Sequence, residues 1–208
     1  MIVTEIRELN AKKVLVTIDG HLVFPLYKNE LRQYGLREEA EVDPARWSEL
    51  WEITLVKRSR LRAMNLLQKK NYTKAELERK LQENHYPQEL IDQALAYVMR
   101  FHYVDDDRYA EDYIRYHSAD RSMQRMRRDL LAKGISAEIF DHVWERFQAD
   151  NLDWDETAQI ERLLEKKNYD PKLADAKERA KMQAFLYRKG YSMDAIASVF
   201  SRLSSSER

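Results

Sequence analysis

One pattern occurs three times in this chain and limits the fold more than any other feature. Leu81-Gln-Glu-Asn-His85-Tyr86-Pro87-Gln-Glu-Leu90-Ile91 matches Leu130-Leu-Ala-Lys133-Gly134-Ile135-Ser136-Ala-Glu-Ile139-Phe140. Both match Leu186-Tyr-Arg188-Lys189-Gly190-Tyr191-Ser192-Met-Asp-Ala195-Ile196. In each copy a helix ends on leucine, and His or Gly stands four residues on. An apolar residue comes next, and a short polar link leads to the apolar pair that opens a new helix. Gly134 and Gly190 stand where a helix C-terminus takes a left-handed residue. Ser136 and Ser192 suit helix N-caps, and Pro87 suits a first turn. A preceding helix recurs as well, at Arg60–Lys70, Arg108–His117 and Glu156–Lys167. The unit is therefore three helices in about fifty residues, used three times. Repeats of this size pack mainly on their neighbours, which predicts a mainly α chain of three tandem three-helix repeats forming an elongated, curved body.

The first fifty or so residues read differently. Lys13–Ile18 is rich in β-branched residues, Asp19-Gly20 follows, and His21–Leu26 is again apolar. Asp-Gly between two such runs predicts a two-residue hairpin, because both turn positions need positive φ. Ile2–Ile6 supplies a third strand, and Lys28–Tyr34 and Asp43–Trp51 read as short helices, the second with Asp43 as N-cap and Pro44 in its first turn. Beyond residue 55 the apolar period is helical throughout: Leu90, Ile91, Ala94, Leu95 and Val98 form one face, and Ile139, Phe140, Val143, Trp144 and Phe147 another. The expected organisation is a hairpin-containing head at 1–54 and repeats at 55–104, 105–152 and 153–208.

Composition excludes much chemistry. The 208 residues contain four glycines, four prolines and no cysteine, which leaves too few turn residues for an all-β fold and no thiolate for catalysis or metal binding. A mean hydropathy of −0.73, with no apolar run long enough to span a bilayer, predicts no membrane segment. No basic-then-apolar signal opens the chain, which predicts a cytoplasmic location. Lysine and arginine total 36 and so do aspartate and glutamate, but the balance is local. Lys57–Lys80 holds nine bases against two acids, whereas Glu30–Glu52 holds seven acids against three bases. Such blocks suit a partner surface of mixed charge and also the solvated face of any helical protein.

Among residues that carry chemistry, Asp105-Asp106-Asp107 has the oxygen ligands Mg²⁺ prefers. The run also lies just before a helix opening at Arg108, where carboxylates cap free N–H groups and meet the favourable end of the helix dipole, and the capping role is the stronger reading. The five histidines form no i,i+4 pair, and His102 reads as a buried or half-buried imidazole. No nucleophile elbow, phosphate loop or dinucleotide fingerprint is present, so no enzyme activity and no cofactor are expected. Tyr109, Tyr113 and Tyr116 fall at the spacing of a core stripe rather than of a base-stacking row. Arg121, Arg125 and Arg128, with Lys133 beyond them, line up at helical spacing opposite Met123, Met126 and Leu130. They form a candidate face for phosphates or carboxylates of a partner. Arg188-Lys189, and the bases Lys57, Arg58, Arg60 and Arg62, are two further candidates.

The stretch Phe101-His-Tyr103-Val104-Asp105-Asp106-Asp107-Arg108-Tyr109-Ala110-x-x-Tyr113-Ile114-Arg115 resembles the signature of the RecX regulators of the bacterial recombinase RecA. Lys74-Ala75-Glu76-Leu77-x-x-x-Leu81, Leu130-x-x-Lys133-Gly134-Ile135 and Phe185-Leu186-x-Arg188-Lys189-Gly190-Tyr191 support it, over about residues 58–203. Tyr72-Thr73 stands where that family usually has Arg-Ser, and His85 replaces a common glycine. The resemblance implies a non-enzymatic, monomeric regulator that binds the RecA filament on single-stranded DNA along its groove. Such a regulator limits filament growth and suppresses ATPase, strand exchange and coprotease activity, while binding single-stranded DNA alone only weakly. A stand-alone helical DNA-binding protein is the alternative, although zero net charge speaks against it.

Overall fold

The computed structural model describes residues 1–205. The last three positions of the expected third repeat, 206–208, lie outside the described residues. Strands β1 (Val3–Glu8), β2 (Lys13–Ile18) and β3 (Leu22–Tyr27) form an antiparallel sheet in the order β1-β2-β3. The Asp19-Gly20 turn has the expected positive φ at both positions, 50° and 76°. His21 N–H donates to the Ile18 carbonyl at 3.1 Å. Because Ile18 pairs with Leu22, the loop holds three residues rather than two, with His21 the extra one.

Helix α1 (Lys28–Tyr34) ends at Gly35 in the left-handed conformation. The expected short helix from Asp43 does not stop at Trp51. α2 (Pro44–Ser48), capped by Asp43 accepting from Arg46 N–H, runs through a π-helical stretch (Glu49–Leu55) directly into α3 (Val56–Leu67). No glycine or proline lies between Ala45 and Leu67 to break the run, and the wide turn carries Leu50, Trp51 and Leu55 into the interior. The helix thus passes unbroken through position 54.

The three triplets are α3 with α4 (Lys74–Gln82) and α5 (Gln88–Arg100); then α6 (Asp106–His117), α7 (Met123–Ala132) and α8 (Ala137–Asp150); then α9 (Glu156–Lys166), α10 (Ala176–Lys189) and α11 (Met193–Ser205). The turn shared by the three copies has one hydrogen-bond pattern. The N–H of Tyr86, Ile135 or Tyr191 reaches back five residues to the carbonyl of Leu81, Leu130 or Leu186, at 3.1–3.3 Å. That bond needs a left-handed residue just before it, supplied by His85 (φ 62°), Gly134 (φ 85°) and Gly190 (φ 93°). Both the leucine and the apolar residue are buried in every copy, so the turn pins the end of one helix to the start of the next. Thr73 caps α4 in a reciprocal capping box with Glu76, and Ser136 and Ser192 cap α8 and α11 through their hydroxyls. Pro87 is itself the N-cap of α5, one position earlier than a first-turn proline.

The chain divides after Asp105 into two units. In the first, head and first triplet share a single apolar core: Phe24, Leu26, Leu50 and Leu55 join the cluster that holds Leu77, Leu81, Leu90 and Ile91. In the second, each triplet has its own cluster, Met126, Leu130 and Phe140 in one and Ile160, Leu186 and Phe200 in the other. Polar contacts tie these two together. Trp154 Nε1 donates to the Ser118 carbonyl at 2.9 Å, and Gln159 donates to the same oxygen. The buried Ser122 hydroxyl donates to the Lys189 carbonyl at 2.9 Å.

Candidate partner-binding surfaces

Helix α3 separates the bases that the sequence places in one run. Arg58 and Arg62, four apart, share a face. Arg58 pairs with Glu30 of α1, and its guanidinium lies 5.0 Å from the centre of the Tyr27 ring. Arg60 turns to Tyr97 of α5, 5.4 Å from that ring. Lys57 is exposed. The first-repeat candidates are therefore two sites, and neither is a continuous basic strip. The Arg58–Arg62 side opens onto a cavity of about 460 Å³ whose walls include Lys13, Tyr27, Asn84 and Tyr86. Burial pushes the Tyr86 phenol above its ordinary pKa, with Arg58 and Arg62 acting against the rise.

The arginine line of the second triplet is corrected by the structure. Arg121 precedes the N-cap Ser122, outside α7, so helical spacing does not apply to it. Its guanidinium folds back onto Asp129 at 2.8 Å and the Tyr113 hydroxyl at 2.5 Å, and its side chain is only 25% exposed. Tyr113 also donates to Asp129, at 2.8 Å. Burial, reinforced by that carboxylate, pushes its phenol up to about 12. Arg125 stands 3.8 Å from Asp129, and Arg128 is exposed. Both approach Gly190: a β-carbon there would lie 3.2 Å from the Arg128 guanidinium and 2.8 Å from the Ser122 hydroxyl. The end of α7 that carries Arg125 and Arg128 thus meets the end of α10 that carries Arg188-Lys189, joining two candidates that the sequence left apart. Gly190, at φ 93°, sits at that contact, and Ser122 is the residue sequence reasoning missed. A serine ahead of Met123 signals an N-cap, but not a partner 67 positions away. Lys133 lies 5.6 Å from the Tyr109 ring and Lys189 5.6 Å from the Phe185 ring.

Asp106 and Asp107 occupy the first turn of α6, with Asp105 just before it and Arg108 and Tyr109 just inside. Carboxylates there favour the helix dipole. Among the described residues no group of three or more His, Asp or Glu side chains is placed to hold a metal ion. Of the tyrosine stripe, Tyr109 and Tyr113 pack, partly buried, against the core of the triplet, and Tyr116 leaves it. The buried face of α6 is Ala110 and Ile114, Tyr109 and Tyr113 flank it, and Tyr116 is 81% exposed. His102, expected buried or half-buried, is exposed at a left-handed turn (φ 54°). Among the described residues no helix is long and apolar enough to cross a membrane.

Family models of RecX match all three triplets: the first three-helix domain at residues 60–97, the second at 105–143 and the third at 155–200. The regulatory protein RecX of Trichlorobacter lovleyi is 32% identical over 146 residues, 68% of this chain and 93% of that protein. The chain belongs to the RecX family. The regulatory protein RecX of Clostridium acetobutylicum, 26% identical, aligns over 97% of this chain and 95% of its own length, so that match takes in the head as well as the RecX triplets. A crystal structure of regulatory protein RecX shares the fold, with a TM-score of 0.64 at 20% identity over 95% of this chain and 98% of the other. RecX from Lactobacillus salivarius superposes with a TM-score of 0.58 at 21% identity, over 72% of this chain and 97% of that one.

Proposed function

We propose that this protein regulates a RecA-type recombinase by binding the filament that the recombinase forms on single-stranded DNA, along the filament groove. It limits filament growth and suppresses ATP hydrolysis, strand exchange and coprotease activity, without an activity or cofactor of its own. It acts in the cytoplasm as a monomer, with a head at 1–54 and triplets at 55–104, 105–152 and 153–208. Membership of the RecX family through all three tandem triplets is the observation that carries this reading. Modest contacts spread over three linked modules add up by effective concentration, which suits a partner that repeats along a polymer.

The basic ends of α7 and α10 are assigned here to the filament. Arg128 is exposed and has no ion pair among the described residues, and Arg125 keeps only a long one. Reversing both, Arg125→Glu with Arg128→Glu, is expected to weaken binding to preassembled filaments about tenfold or more, measured by fluorescence anisotropy. The thermal midpoint should change little, since exposed charges contribute little to folding. Binding equal to that of the unsubstituted protein removes this face from the contact. Binding to naked DNA as tight as to filaments favours the stand-alone DNA-binding reading instead.

A further inference from the structure

The cavity between the head and α3 holds more positive charge than its own protein groups neutralise. Lys13 from β2 and Arg58 and Arg62 from α3 face it, and among the described residues the one carboxylate paired there is Glu30, bound to Arg58. Arg62 has no ion pair among the described residues, and its Nε is buried without a hydrogen-bond partner. That atom is enclosed, as is the Nε of Arg60, and lies out of a ligand's reach; what Arg62 offers the cavity is a positive charge that no carboxylate among the described residues balances. Lys13 is likewise unpaired with a carboxylate among the described residues. Its ammonium lies 5.0 Å from the Tyr27 ring, which also carries Arg58. Asn84, whose amide already donates to the Lys80 carbonyl at 2.6 Å, and Tyr86 complete the wall. A carboxylate and a backbone phosphodiester each offer two charged oxygens that the guanidinium fork accepts, so the proposed partner, a strand that repeats the charge along its length, decides for the phosphodiester. The cavity, about 460 Å³, also has space for a sugar attached to the phosphate.

We propose that this cavity binds a backbone phosphate, with its sugar, of single-stranded DNA, through Arg62, Lys13 and the remaining donors of Arg58. Two of its walls, Lys13 and Tyr27, are directly paired across β2 and β3, so the sheet of the head sets them side by side. The inference rests on the proposed function only in taking single-stranded DNA as part of the partner.

The test uses labelled oligothymidylate and the full chain, without recombinase. The unsubstituted protein should bind weakly, with affinity falling as salt rises. Arg62→Gln should lower that affinity about three- to tenfold and reduce the slope of log affinity against log salt by about 1. Lys13→Gln should act in the same direction, and it keeps the test decisive if Arg62→Gln lowers the melting temperature. A labelled oligoglutamate peptide should bind the unsubstituted protein more weakly than oligothymidylate does. Unchanged oligothymidylate binding in both variants, no binding by the unsubstituted protein, or an oligoglutamate peptide that binds as tightly as oligothymidylate and loses as much in Arg62→Gln would each overturn the proposal. Because no recombinase is present, those results leave the filament reading standing. A failure to inhibit the recombinase overturns that reading and leaves this one.

Discussion

Trp144→Ala is expected to lower the stability of the second unit by about 3–5 kcal/mol, read by urea or thermal unfolding. The indole is 8% exposed on α8. It stacks on Phe147 at 5.3 Å and on Phe140 at 6.1 Å, and Trp154 meets it edge-on at 4.9 Å. Truncation would remove the centre of a four-ring cluster and leave a cavity that rigid neighbours cannot fill. The effect should also reach the third triplet, because Trp154 holds its place through a hydrogen bond to the Ser118 carbonyl, which Gln159 of α9 shares. A loss below about 1 kcal/mol would mean that Trp144 is not a core residue in solution.

Phe24→Ala should be as costly, about 3–5 kcal/mol, for a different reason. Phe24 on β3 is fully buried and packs edge-on against Trp47 at 5.7 Å and Trp51 at 6.5 Å. Trp51 lies in the π-helical stretch that leads without a break into α3. Head and first triplet share one core. The substitution should therefore lower hydrogen-exchange protection in α4 and α5 together with the sheet. Loss of protection in the sheet alone, with α4 and α5 unchanged, would show that the head unfolds as a separate unit.

The triplets are legible in the sequence because their determinants are local. A leucine, a left-handed position four residues on and the apolar residue after it define the whole turn, and even His85 keeps the geometry where glycine is usual. The strands of the head and the cap at Asp43 are legible for the same reason. What depends on distant partners is not. Arg121 looks like the start of an exposed arginine row, yet Ser122 begins the helix one residue later, and Asp129 and Tyr113 then draw Arg121 inward. The tyrosines of α6 share helical spacing, but their stripe lies one residue to the side of the buried Ala110–Ile114 face. The junction at Gly190 and the Arg62 cavity each join residues far apart in the chain, the latter through the pairing of Lys13 with Tyr27. No local spacing announces either of them.

Titrating the protein into RecA turning over ATP on single-stranded DNA, and following the hydrolysis rate, separates restraint of a recombinase filament from action on DNA alone. If the triplets restrain the filament, inhibition is progressive at molar ratios well below one protein per RecA, because hindering the growth of a polymer needs few copies. An ATPase rate that stays flat up to equimolar protein, under conditions where the filaments are assembled, would contradict it.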